Sequence, residues 1–140
     1  GGVNAMHDPT EGGVAGGIHE MADASSLGVK IFEDKIPIAR ETAMICDYFQ
    51  IDPLQLISSG ALLISADPQS SDDILDELKR HGIQAAVIGE FFEDPRKRIL
   101  IDADGTIKDL VRPISDHLWI ALERCASKDK KDFSDCLRNL

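Results

Sequence analysis

The stretch NAMHDPTEGGVAGGIHEMADAS, residues 4–25, decides how the rest of the chain is read. It opens as a turn and passes four glycines, Gly12, Gly13, Gly16 and Gly17. It then sets Val14, Ile18, Met21 and Ala22 at helical spacing, with Ala15 and Ala24 flanking. Thr10 and Glu11 suit an N-cap and an acidic first turn. Glycine inside a helix costs about 1 kcal/mol against alanine, so four of them need a reason. One reason is an anion held on the free N–H groups of the helix mouth, with Gly12 and Gly13 clearing its approach. The other is another element packing tightly on the glycines. The residues alone leave both open.

Two familiar phosphate motifs are absent. A Walker-type loop needs Lys and Ser/Thr after its last glycine, where Ile18 and His19 stand. A dinucleotide fingerprint needs glycines at i, i+2 and i+5 after a strand, and no such triplet occurs. HEMAD (19–23) begins like a zinc-protease helix, but Asp23 stands where the second histidine belongs. A helix-surface His19 and no metal site are expected.

Outward from this segment, strands and helices alternate. Ser26-Leu27-Gly28 ends the first helix, and 28–33 alternates as a strand with Val29 and Ile31 on one side. Pro37 opens a second helix with a stripe of Ile38, Thr42, Ile45 and Phe49, flanked by Ala39 and Cys46. GALLISA (60–66) reads as a buried strand. Residues 70–82 form a surface helix with Ile74, Leu75 and Leu78 inward. Residues 84–93 read as a strand, and 97–110 as a hairpin turning at Asp104-Gly105. The last helix starts after Pro113, with Leu118, Trp119 and Leu122 inward and Asp116 and His117 as capping or surface groups. The order α-β-α-β-α-β-β-β-α predicts an α/β (α+β) fold in which a mixed sheet is layered with helices. The strand after the 70–82 helix can return beside 60–66 as a crossover, while the hairpin adds antiparallel pairs.

At 140 residues and 43% hydrophobic, the chain reads as one globular domain. Its charge of −10, from 15 basic and 25 acidic side chains, argues against nucleic acid and anionic membranes as partners. A bound nucleotide would need a divalent cation or a basic partner domain. No run is apolar and long enough for a membrane helix, and no signal peptide is evident. Cys46, Cys125 and Cys136 are few, odd in number and widely spaced, which fits reduced thiols and a cytoplasmic setting. The Gly-Gly start without methionine suggests a piece of a longer polypeptide. DPRKR (94–98) is the one basic cluster, a solvated turn on the plainer reading and an anion-facing patch on the other.

MHDPTEGGVAGGIHEMADAS resembles the Asp-Pro-Thr-x-Gly-Gly motif of hydrogenase maturation proteins of the HypE type, a branch of the aminoimidazole ribonucleotide (AIR) synthase superfamily. SSGALLISAD and AAVIGEFFED resemble two later landmarks of that family's C-terminal domain. The resemblance covers about residues 3–113. It implies an AIR synthase C-terminal domain core over 1–113, with 114–140 as its last helix and tail. It also implies an N-terminal ATP-binding domain that these residues lack, a homodimer, a hydrogenase maturation partner, and use of ATP with Mg²⁺ in the full-length protein. On this resemblance, His7, Asp8, Pro9, Thr10, Gly12 and Gly13 line an interdomain nucleotide or substrate cleft, with no catalytic residue assigned. His7 then contacts a phosphate or donates a proton, against the plainer reading of a solvated turn histidine. Asp8 shapes the turn or orients a metal-bound water. Maturation enzymes of this type end in Pro-Arg-x-Cys with a terminal carrier cysteine; Cys136 is neither terminal nor preceded by that motif. The alternative is a binding or assembly module that kept the fold, lost the carrier and packs its glycine helix on a partner.

Overall fold

The computed structural model describes residues 1–127. The tail around Cys136 lies outside them. Strand β1 (Val3–His7) comes first and pairs antiparallel with β3 (Leu63–Ala66) as a two-stranded sheet. A strand here replaces the opening turn expected from the sequence. Helix α1 (Gly13–Ser25) follows and stops at Ser26, a left-handed residue with φ 54°, whose N–H returns to the carbonyls of Ala22 and Asp23. Strand β2 (Gly28–Phe32) carries Val29 and Ile31 into the core, as the alternation predicts.

Helix α2 (Arg40–Phe49) begins three residues after Pro37 and buries Cys46 and Phe49, while Ile38 and Ile45 of the expected stripe stay outward. Burial pushes the Cys46 thiol pKa up. Gly60, read as part of a strand, is a turn residue at φ 93° with open space around it, so β3 starts only at Leu63. Helix α3 (Ser71–Arg80) half-buries Ile74, Leu75 and Leu78.

Strand β4 (Gly89–Phe92) is shorter than the expected 84–93. It pairs antiparallel with β2 and not with β3, so the crossover beside 60–66 does not form. Two facts explain this. The hydrogen-bonding partner of β3 is β1, and a Cβ at Gly89 would run into the Lys30 carbonyl and the Ile31 side chain. Only glycine permits β4 to lie that close to β2. Strand β5 (Arg98–Ile101) pairs parallel with β2, and β6 (Ile107–Asp109) closes the hairpin predicted around Gly105. The second sheet therefore runs β4-β2-β5-β6, with mixed directions.

Helix α4 (His117–Ser127) turns its indole outward: Trp119 is 54% exposed and Leu122 51%, while Ala121 is buried. The inward face predicted from Trp119 and Leu122 is thus rotated toward Ala121, which packs with Cys46, Phe49 and Ile51. The main core joins Ala15, Ile18 and Ala22 of α1 to Val29, Ile31, Leu54 and Leu110, with Leu63 and Leu100 against it. Helix α1 is the element both sheets share. Among the described residues, no helix is long and apolar enough to cross a membrane.

Candidate functional site

The glycines of α1 are explained by what touches them. Gly13 has φ 62°, and a Cβ there would stand 2.6 Å from the Leu54 carbonyl, with the Leu56 carbonyl closer still. At Gly17 a Cβ would lie 2.8 Å from Pro9 Cβ and 2.9 Å from Leu63 Cδ1. Close packing by the chain's own segments therefore accounts for these two positions. Gly12 and Gly16 have no such close approach: the nearest atoms to a Cβ there stand at 3.4 and 3.3 Å.

The first two amides at the helix mouth are engaged. Gly12, at φ 77°, donates its N–H to Oδ2 of the buried Asp116 at 2.8 Å, and Gly13 donates to the Thr10 carbonyl at 3.1 Å. The predicted cap is displaced accordingly: Gly12 occupies the cap position, and Thr10 contributes its carbonyl, not its hydroxyl. Glu11 lies outside the first turn.

The structure sorts the six candidate loop residues into two groups. Pro9, Gly12 and Gly13 are buried and shape the backbone. Asp8 and Thr10 are exposed, as is Glu11 between them and the glycines. His7 is half-buried, and its Nε2 lies 2.7 Å from Glu20 Oε2. The outward face thus offers one hydroxyl flanked by carboxylates, with an imidazole already engaged. Carboxylates repel phosphate, and the first amide is taken, so this loop alone does not fit a bare triphosphate. Among the described residues, no three His, Cys, Asp or Glu gather as metal ligands.

A groove of about 680 Å³ runs between β1 and α1, lined in part by Met6, Glu20, Met21, Leu27 and Phe91. Another of about 320 Å³ lies among residues 36–42 and 53–61 and Val14. Of the six candidates only His7 lines the first, and none lines the second.

His19 is 4% exposed, not on the surface as expected. Its Nε2 donates to the Leu110 carbonyl at 2.9 Å, which leaves Nδ1 as a buried acceptor without a partner among the described residues. Burial lowers its pKa below the usual histidine value, against the opposing pull of the Leu110 carbonyl. One turn on, Asp23 binds Arg112 and Arg98, and those hydrogen bonds hold its carboxyl below the usual aspartate range. Asp23 is thus an ion-pair clamp from α1 to β5 and the segment after β6. Sequence reasoning read Asp116 as a capping or surface group. It does cap α4 through Leu118, but its other two partners lie 104 and 59 residues away, where no local signal reaches.

Residues 1–102 match the model of the AIR synthase related protein C-terminal domain. The chain belongs to that family. A protein of Methanocaldococcus jannaschii named for hydrogenase expression and formation is 36% identical over 116 residues, covering 81% of this chain and 34% of that protein. The carbamoyl dehydratase HypE of Rhizobium leguminosarum bv. viciae is 35% identical over 94 residues, 66% of this chain and 27% of its own length. Crystalline HypE of Escherichia coli superposes with a TM-score of 0.76 at 31% identity, covering 86% of this chain and 38% of that one. A HypE solved in complex with ATP shares the fold at TM-score 0.76 and 24% identity, over 83% and 37% of the two chains. The α+β architecture is therefore that of HypE. The chain spans about a third of the length of the curated relatives it matches.

Proposed function

We propose that this chain is the C-terminal, substrate-side domain of an ATP-dependent HypE-like protein acting in hydrogenase maturation. Its loop from His7 to Gly13 contributes one wall of a cleft that an N-terminal ATP-binding domain completes. The observation that carries this reading is the division of labour in the loop. Pro9, Gly12 and Gly13 are buried and fix the backbone, and that rigid frame holds Asp8 and Thr10 outward. A frame so constrained presents two polar side chains in one pose, which is what a binding or reacting partner requires.

The acidic face argues for the division between domains. Nucleotide phosphates and Mg²⁺ belong on the N-terminal domain, and this loop meets the metal-bound nucleotide or the acceptor substrate from the other side. Thr10 donates or accepts a hydrogen bond through its hydroxyl, and Asp8 accepts one or carries negative charge toward a cation. His7, steadied by Glu20, stands at the edge of the same loop. Support comes from the family match, from the names of the relatives at 35–36% identity, and from the exposure pattern. A homodimer and a cytoplasmic setting are part of the same proposal.

The test uses the full polypeptide that carries this chain. Asp8→Ala and Thr10→Ala are each expected to weaken Mg-ATP binding or turnover by about tenfold, the effect of losing one charged or polar contact in a site. Wild-type binding and turnover in both variants would take the loop out of the site.

A further inference from the structure

We propose that Asp116 is a positioning residue for the loop from Asp8 to Gly12, so that the start of α4 sets the pose in which Thr10 and Asp8 meet their ligand. This rests on the functional reading above. Asp116 is 5% exposed, and its carboxylate accepts three backbone N–H groups from three separate segments. Oδ1 takes Leu118 at 2.7 Å and Ile57 at 3.2 Å, and Oδ2 takes Gly12 at 2.8 Å. A helix cap needs only the first of these.

The neighbouring residue strengthens the grip. His117 Nδ1 accepts the Asp52 N–H at 2.9 Å, and the Asp52 side chain in turn accepts from Leu54 N–H and from the Gln55 amide. Segment 52–57 is thereby fixed, and its Leu54 and Leu56 carbonyls are the atoms that crowd Gly13. The loop is thus held at two consecutive residues, Gly12 by a carboxylate and Gly13 by carbonyls. Ser58 adds an N–H to the Thr10 carbonyl at 3.4 Å. Asp116 and His117, the cap and first residue of α4, lie outside the 102 residues that the family model matches.

Asp116→Asn separates capping from positioning. Asparagine caps helices about as well as aspartate, and its remaining oxygen keeps Leu118 and Ile57. Its NH₂ group then faces the Gly12 N–H, donor against donor, and the loop is released there. On the full polypeptide, we expect the Gly12 amide to exchange with solvent at least about tenfold faster, with Leu118 unchanged. Mg-ATP affinity should fall about tenfold. Adding Asp116→Asn to the Asp8→Ala/Thr10→Ala pair should cost nothing further, because Asp116 acts through those two side chains; independent structural damage would multiply instead. Should Asp116→Asn fail to fold, Asp116→Ser carries the same comparison, since its hydroxyl caps α4 but is too short to reach Gly12. Multiplying losses, or wild-type Mg-ATP affinity in Asp116→Asn beside a weakened Thr10→Ala, would overturn the positioning role and leave the functional reading standing. Unchanged binding in both Asp8→Ala and Thr10→Ala would remove that reading, and this proposal with it.

Discussion

Gly13 and His19 show how far a single residue is fixed by its surroundings. At Gly13 an alanine meets two penalties together, the left-handed φ of 62° and the carbonyls of Leu54 and Leu56. Gly13→Ala should therefore destabilise the chain by about 3 kcal/mol or more in urea unfolding, well beyond the roughly 1–2 kcal/mol of conformation alone at Gly12, where the nearest atom is 3.4 Å away. Equal losses at the two positions would show that the close approach has been misjudged. His19 makes a prediction in pH. Its folded pKa is depressed, so the unfolded chain binds the extra proton first. Its contribution is complete above the unfolded value near 6.5 and drains away as pH falls toward the folded one. Melting temperature should drop between pH 7.5 and 5.5, and His19→Gln should flatten that part of the profile. An unchanged slope in the variant would exclude His19 as its source. The sequence held a signal for this burial: Ala15, His19 and Ala22 fall at i, i+4 and i+7, one helical face, and both alanines are buried. Weighing histidine as polar, without its Leu110 partner in view, put it on the surface.

Among the elements, legibility followed the strength of the period. Helix α1, strand β2 and the hairpin of β5 and β6 carry strong patterns and stand where the sequence put them. Strand β1 did not show, because VNAMH has no alternation and exposes four of its five residues; only pairing with β3 makes it a strand. Helix α4 existed as predicted but faced another way. Apolar size pointed to Trp119 and Leu122, whereas the contact with α2 is made through small Ala121 and through Arg124, which binds the carbonyls of Phe49 and Gln50. Those carbonyls end α2, where a cation is favoured. Trp119→Ala should accordingly cost under about 1 kcal/mol, against the 3–5 kcal/mol of a truncated core tryptophan. Trp119 is the one tryptophan in the chain, so its emission should sit at solvent-exposed wavelengths and be quenched freely by acrylamide. A blue-shifted, protected indole would mean that this face of α4 is covered.

Taken together, the elements form two sheets around one helix, and this division was the part of the architecture least open to sequence reasoning. Alternating strands and helices implied a mixed sheet with helical cover, but strand pairing depends on contacts across many residues, such as Gly89 against Lys30. The candidate site was legible as a segment, through its motif. Its inner wiring to Asp116 was not, because the partners of a buried carboxylate are set by the fold. The shared core yields a further expectation. Ile18 is 3% exposed in a cluster that includes Leu63 of β3 and Leu100 of β5 as packed neighbours. If one core holds both sheets, Ile18→Ala should cost about 2–5 kcal/mol. That cost should appear equally in the slowest-exchanging amides of β3 and of β5, since both open only with the whole domain. If exchange quickened in one sheet while the other kept its protection, the ribbon of β1 and β3 would be a separately folding unit. The pose of Asp8 and Thr10, hung between β1 and α1, would then be uncoupled from the larger sheet.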